Sequence, residues 1–167
     1  MASPPAGAER PGEIRASLDP AGLPGDARLV FIGRARTAWS DRASCPKNLR
    51  EARERGGSAT IEVDEAWRPG LKDLRAGAII VVLTWMDRAR RDLLVQAPRH
   101  RSEPAGVFSL RSPVRPNPLG LYVVRLLACD METGLLTVDA LDCLDGTPVI
   151  DIKPWLATVD LPPEPSD

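Results

Sequence analysis

Gly120-Leu121-Tyr122-Val123-Val124-Arg125-Leu126-Leu127, a turn at Glu132-Thr133-Gly134, and Leu135-Leu136-Thr137-Val138-Asp139-Ala140-Leu141 read together as one β-hairpin. Both arms are apolar and rich in β-branched residues, and the connection carries a glycine where a tight turn needs one. More strand-like runs flank it. Ala78-Ile79-Ile80-Val81-Val82-Leu83 is the strongest, and its unbroken apolar character predicts a strand covered on both faces. Ala59-Thr60-Ile61-Glu62-Val63 alternates like a half-buried strand. Leu29-Val30-Phe31-Ile32 predicts a first strand, broken by Gly33, and Gly106 to Leu110 another. Pro148-Val149-Ile150-Asp151-Ile152 follows an Asp145-Gly146 turn as the last.

Helical signals are few. Lys47 to Arg55 fits a short helix, with Pro46 before it, Glu51 and Arg55 four apart, and Gly56-Gly57 as a stop. Residues 64–77 read as a turn plus a helical turn. Residues 34–46 and 86–105 read as polar, irregular loops. Many short strands and little helix predict a mainly β (α+β) domain, a barrel or a sandwich. No G-x-G-x-x-G links a strand to a helix, so a nucleotide would not be held by a Rossmann crossover.

A length of 167 residues, 43% hydrophobic and 27% charged, suits one soluble globular domain. Residues 1–27, rich in Pro, Gly and Ala without an apolar core segment, read as a flexible extension; 28–160 is the predicted domain and 161–167 a short tail. No run approaches the ~18 apolar residues of a membrane span. Cys45, Cys129 and Cys143 are odd in number and form no CxxC pair. No metal site is therefore expected, and the thiols are read as reduced, in keeping with a cytoplasmic location.

The net charge of −1 hides a strong asymmetry. Residues 34–55 and 86–115 each carry seven Arg/Lys against three acids, whereas 130–167 carry nine acids against Lys153 alone. The two basic stretches are either a polyanion-binding face or solvated charge on turns. His100, the one histidine, is read as solvated rather than catalytic, since no nucleophile elbow accompanies it.

Two segments carry chemistry. In Gly106-Val107-Phe108-Ser109-Leu110-Arg111-Ser112-Pro113-Val114-Arg115-Pro116-Asn117-Pro118-Leu119-Gly120-Leu121, three prolines stiffen a loop that displays Arg111, Arg115 and Asn117. Those planar donors suit carboxylate, phosphate or a base edge, or else they tie a rigid turn to acidic neighbours. In Leu141-Asp142-Cys143-Leu144-Asp145-Gly146-Thr147-Pro148-Val149-Ile150-Asp151-Ile152-Lys153-Pro154-Trp155, the same double reading applies. Asp145, Asp151 and Lys153 either converge with the arginines on a polar ligand or are the charged edges of a hairpin.

Taken together, the two segments resemble the TrmO/TsaA-like (YaeB-like) family, whose pattern runs roughly F-A-x-R-S-P-x-R-P-N-P-I-G and then L-D-x-x-D-G-T-P-V-x-D-I-K-P-Y. The resemblance extends from Ile32-Gly33 to Trp155. It implies a compact β-barrel of the TsaA/YaeB type, binding of S-adenosyl-L-methionine, and a homodimer. The implied activity is methyl transfer to N6 of threonylcarbamoyladenosine beside the anticodon of tRNA. By that resemblance the cofactor contacts are Pro46, Lys47, Asn48, Trp85, Met86, Arg111, Leu121, Leu141, Asp142, Leu144, Asp145 and Gly146. Arg115, Asn117 and Lys153 are the candidate substrate contacts, and Asp145 and Asp151 the candidate proton acceptors. The chain departs from the pattern at Trp155 (usually Tyr), Lys47-Asn48 (usually Arg-Gln) and Trp85-Met86 (a His-containing pair). Two alternatives are methylation of a small molecule and a non-catalytic nucleotide- or RNA-binding module.

Overall fold

Period-two alternation is what the chain uses to close a sheet on itself. The computed structural model describes residues 10–18, 20, 22–25, 27–99 and 101–162. In chain order the strands are β1 (Ile14–Arg15), β2 (Gly33–Arg36), β3 (Ala59–Val63), β4 (Ile79–Trp85), β5 (Leu93–Gln96), β6 (Ala105–Gly106), β7 (Leu119–Asp130), β8 (Leu135–Val138) and β9 (Pro148–Pro154). Helices α1 (Leu49–Glu54) and α2 (Ala157–Asp160) are short, and 3-10 turns cover Glu65–Leu71 and Val107–Ser109. His100 lies outside the described residues. No described helix is long and apolar enough to cross a membrane.

The chain divides into two compact units. Met1–Arg28 with Met86–Leu119 form the first, and Leu29–Trp85 with Gly120–Asp167 the second. The second is a closed barrel in the order β2-β3-β8-β7-β4-β9, the mainly β, non-Rossmann architecture expected from the strand pattern. Closure removes sheet edges, and residues then alternate between the inside and the outside. Ala59, Ile61 and Val63 of β3, Tyr122, Val124 and Leu126 of β7, and Leu136 and Val138 of β8 point inward and are buried. Each large apolar side chain removed from water contributes about 1.5–3 kcal/mol.

β4 was expected to be covered on both faces. Ile80, Val82 and Thr84 are fully buried, while the alternate residues from Ile79 to Trp85 are partly covered.

The first barrel strand differs from expectation. It is Gly33–Arg36, while Leu29, Val30 and Phe31 are exposed. Gly33 does not break a strand; it is the residue that lets β2 pair with β3 and β9 at once, opposite Val63 and Val149. A Cβ there would stand 2.0 Å from the Glu62 carbonyl oxygen.

The predicted helix forms as α1. Asn48 is its N-cap, its side-chain oxygen accepting from Glu51 N at 2.9 Å, while Glu51 reaches back to accept from Lys47 N at 2.9 Å. Removing the cap with Asn48→Ala should cost about 1 kcal/mol in urea unfolding.

The first unit holds a three-stranded sheet, β1-β5-β6. Part of the stretch read as an N-terminal extension is thus built in. Ile14 pairs with Val95 and Arg15 with Leu93, and the Glu13 carboxylate accepts from Ala97 N at 3.3 Å. β5 lies within the stretch read as loop. Gly106 to Leu110, expected as a strand, instead turns into 3-10 geometry after Gly106. Leu110 N donates to Val107 O at 3.2 Å and Ser109 Oγ to Gly106 O at 2.8 Å.

Candidate functional site

Within the barrel unit, the expected cofactor stretch Leu141–Gly146 is laced to the loop that leads into another, Pro46–Asn48. The loop after β2 and the turn before β9 exchange a ladder of bonds. Ala35 N donates to Thr147 O at 2.9 Å, Gly146 N to Ala35 O at 2.9 Å, and Asp145 N to Trp39 O at 2.8 Å. Side chains add to it. The Thr37 hydroxyl donates to Cys143 O at 2.9 Å, the Trp39 indole N–H to Leu141 O at 2.9 Å, and the Cys45 thiol to Asp142 O at 3.4 Å. Thr147 closes the Asp-Gly turn, its hydroxyl donating to Leu144 O at 2.7 Å, with Gly146 at φ +78. The loop carbonyls are therefore satisfied internally.

The side chains left along this paired rim are informative. Pro46 is buried, while Lys47 and Asn48 are exposed beside it. Asp142, Leu144 and Asp145 are partly exposed. Asp145 Oδ1 accepts from Thr37 N at 3.1 Å, and Oδ2 lies 3.9 Å from the Arg36 guanidinium. Glu62, at 2.7 Å, is the nearer partner of Arg36 and, with Asp145, raises its pKa. Trp85 ends β4, partly covered, and Leu121 is 46% exposed on the outward face of β7.

Asp151 and Lys153 stand elsewhere on the barrel. They pair with each other at 2.8 Å, which holds the lysine above its ordinary pKa, and Asp151 Oδ1 accepts from Ile152 N at 2.9 Å. Asp151 also lines a cavity of about 480 Å³ with Trp67, Leu71, Lys72, Asp73 and Leu74. The two candidate proton acceptors thus have different surroundings, and Asp145 is the one set in the laced rim.

In the first unit, the proline loop is rigid for reasons beyond proline. Arg115 donates to the carbonyls of Val107 and Leu110, the latter at 2.8 Å, Arg91 Nε to Pro116 O at 2.6 Å, and the Gln96 amide to Val114 O. Arg115 Nε is the one buried side-chain nitrogen or oxygen without a partner among the described residues. Such a donor costs roughly 1–3 kcal/mol until it is satisfied. Phe108, Arg115, Pro116, Asn117 and Leu119 line an open cavity of about 240 Å³. Arg111 and Asn117 are exposed, and Met86 N donates to Pro118 O at 2.9 Å.

Thr37 and Trp39 were not among the residues singled out from sequence. Both act on backbone carbonyls, and that role has no recurring spacing to betray it. Trp39 is further held by Arg55, whose guanidinium carbon lies 5.8 Å from the ring centroid.

The thiols are chemically quiet. Burial pushes Cys143 to about 12 and Cys45 to about 11, and raises Cys129 as well. Folding thus favours the protonated forms. Their contribution to stability is complete below the ordinary thiol pKa and is lost as pH rises toward 11–12. Native protein at pH 8 should show little reaction with Ellman's reagent, and all three cysteines should react in denaturant.

Comparison with known proteins gives this geometry a context. Residues 34–161 match the family model of the tRNA-methyltransferase O N-terminal domain. The probable S-adenosyl-L-methionine-binding protein VirR of Rhizobium radiobacter is 41% identical over 130 residues, covering 78% of this chain and 71% of that protein. A tRNA (adenine(37)-N6)-methyltransferase of Eikenella corrodens is 48% identical over 73 residues, 42% of each chain. The crystal structure of TrmO from Pseudomonas aeruginosa superposes with a TM-score of 0.64 at 25% identity over 85% of this chain. This chain spans 62% of that one's length. With most of its length matched, the chain belongs to the tRNA-methyltransferase O N-terminal domain family.

Proposed function

We propose that the protein transfers a methyl group from S-adenosyl-L-methionine to N6 of threonylcarbamoyladenosine beside the anticodon of tRNA. The observation that carries this reading is the lacing of the Thr37–Cys45 loop, which runs directly into Pro46–Asn48, to the Leu141–Gly146 turn. It ties the segment that leads to the exposed Lys47 to the turn that carries the partly exposed Asp142, Leu144 and Asp145. That donor set fits a zwitterionic sulfonium nucleoside. Lys47, with no ion pair among the described residues, suits the methionine carboxylate, and Asp142 the ammonium. Leu144 and Leu121 offer apolar surface for adenine, and Pro46 is assigned to the cofactor by family resemblance. Trp85, Met86 and Arg111 are assigned to the cofactor by family resemblance, and Arg115, Asn117 and Lys153 to the RNA.

The cofactor, when bound, supplies an electrophilic methyl group on a positively charged sulfur. The residues of the chain have two tasks. The first is orientation, which alone can contribute several kcal/mol to the rate. The second is to accept the N6 proton as the C–N bond forms and the S–C bond breaks. Asp145, held by Thr37 N–H, takes that role here, and Asp151, paired with Lys153, does not. The same reading takes the protein as a cytoplasmic homodimer, with Val123 and Leu127, exposed on β7, available for the contact.

The decisive experiment incubates the protein with labelled S-adenosyl-L-methionine and total tRNA from a strain lacking the methylated base. The expected result is N6-methyl-threonylcarbamoyladenosine in the nucleoside mass spectrum, lost in Asp145→Asn. Lys47→Ala should weaken cofactor binding about tenfold by calorimetry. Arg111→Ala binding the cofactor undiminished would remove that arginine from the site. The names of relatives such as VirR, which mention cofactor binding and no acceptor, favour a second reading. Cofactor turnover with a small molecule and none with tRNA would establish it, and binding with no S-adenosylhomocysteine released would mark a binding module.

A further inference from the structure

We infer that the cavity under Phe108 receives an unstacked nucleobase of single-stranded RNA, with Phe108 as its stacking platform. The inference rests on the tRNA reading above and assigns a part of the substrate to a place that reading leaves empty.

Phe108 is the starting point. It is 87% exposed, more than any other large apolar side chain described, although its neighbour Val107 is 1% exposed. The ring is not loose. It sits in a 3-10 turn closed by Leu110 N on Val107 O and by Ser109 Oγ on Gly106 O. Arg115 holds the same turn from below through the carbonyls of Val107 and Leu110. A bare aromatic ring on a pinned turn gains nothing for folding. It is already oriented for a flat partner, so little freedom is lost on binding.

The cavity beside the ring limits what that partner can be. It is an open depression of about 240 Å³, below the roughly 300–1,000 Å³ of pockets that hold whole small molecules and of a size to seat one flat ring system. Its wall carries the Arg115 guanidinium and the Asn117 side chain. A guanidinium plane and an aromatic face are the surfaces on which unpaired RNA bases stack. An amide offers a donor and an acceptor together, which suits a base edge.

Charge points to the same partner. Residues 86–115 carry seven arginines against three acids, and the arginines exposed there include Arg99, Arg101 and Arg111. A polyanion drawn to this unit meets the ring among the guanidinium groups. Interleaved cations and an aromatic are how single strands are bound without reading a duplex.

The test uses the full chain with an anticodon stem-loop RNA carrying 2-aminopurine at one loop position at a time, and with a fully paired RNA duplex. The expected result is quenched fluorescence at one loop position. Phe108→Ala should weaken stem-loop binding about 5- to 150-fold, the range for a stacked aromatic, while Phe108→Trp keeps it. The slope of affinity against salt should be unchanged in Phe108→Ala, because no charge is removed, and smaller by about one in Arg101→Ala. Cofactor affinity should be the same in wild type and Phe108→Ala. Wild-type affinity of Phe108→Ala for the stem-loop would overturn the inference. So would equal binding of duplex and loop, or a Phe108→Ala effect on self-association with none on RNA, which would assign the ring to an interface between copies. A wild-type protein that binds no RNA overturns this and the tRNA reading together. A protein that binds the loop through Phe108 yet transfers no methyl group sinks only the methyltransferase reading.

Discussion

Gly33→Ala is expected to cost the barrel about 3 kcal/mol or more, a large share of the 5–15 kcal/mol by which ordinary domains are stable. The new methyl would meet the Glu62 carbonyl oxygen at 2.0 Å and the Val63 Cα at 3.0 Å, both main-chain atoms of the paired strand. Neither can swing aside like a side chain. β3 would have to separate from β2 where Gly33 also pairs with Val149 of β9, so the loss would spread to both neighbours. Gly70→Ala is the control. It meets no atom within 4 Å and needs no left-handed backbone, so urea unfolding should find it neutral or slightly more stable. Equal midpoints for the two variants would show that the close approach at Gly33 does not hold the barrel.

Trp39 is expected to give the second large effect, divisible into two parts. Trp39→Ala removes the ring that packs against Gly57 and under Arg55 and should cost about 3 kcal/mol. Trp39→Phe keeps most of the ring but deletes the donor to Leu141 O, leaving that carbonyl unpaired at roughly 1 kcal/mol. If the indole sets the position of the Leu141–Gly146 turn, Trp39→Phe should lose about tenfold in cofactor affinity while remaining folded at 25 °C. Calorimetry beside urea unfolding separates the parts. Undiminished affinity in Trp39→Phe would reduce the residue to packing.

How much of this was legible in the sequence depends on which physical rule each element obeys. β3, β8 and the inner residues of β7 follow strict alternation, and α1 carries its own cap and stop, so their positions could be read. β2 could not. Leu29-Val30-Phe31-Ile32 is the more apolar run, but pairing is decided by where two backbones can approach, and that is at Gly33. β5 is four residues between arginines and Pro98, and one of its two buried side chains is Gln96, so no apolar pattern announces it. The Val107–Ser109 turn has β-strand composition. Its carbonyls are claimed by Arg115, eight and five residues along the chain.

The candidate site divides the same way. Family resemblance pointed to the two loops. The side chains that bind them, Thr37 and Trp39, act on carbonyl oxygens that every residue possesses. The arginine most prominent in the motif, Arg115, proves to be engaged by its own loop as well as facing a cavity.

The barrel's strand order has an evolutionary implication. β4 and β7 are neighbours, with Gly77 N on Leu126 O at 2.7 Å at one end, and a Cβ on Gly120 would lie 2.4 Å from the Thr84 hydroxyl at the other. The chain therefore leaves the barrel after β4 and re-enters it at β7 on neighbouring strands. Segments grafted at such a point can lengthen, shorten or be traded between lineages while the cylinder keeps its hydrogen bonds. Relatives sharing this cylinder are thereby free to diverge in what they act upon.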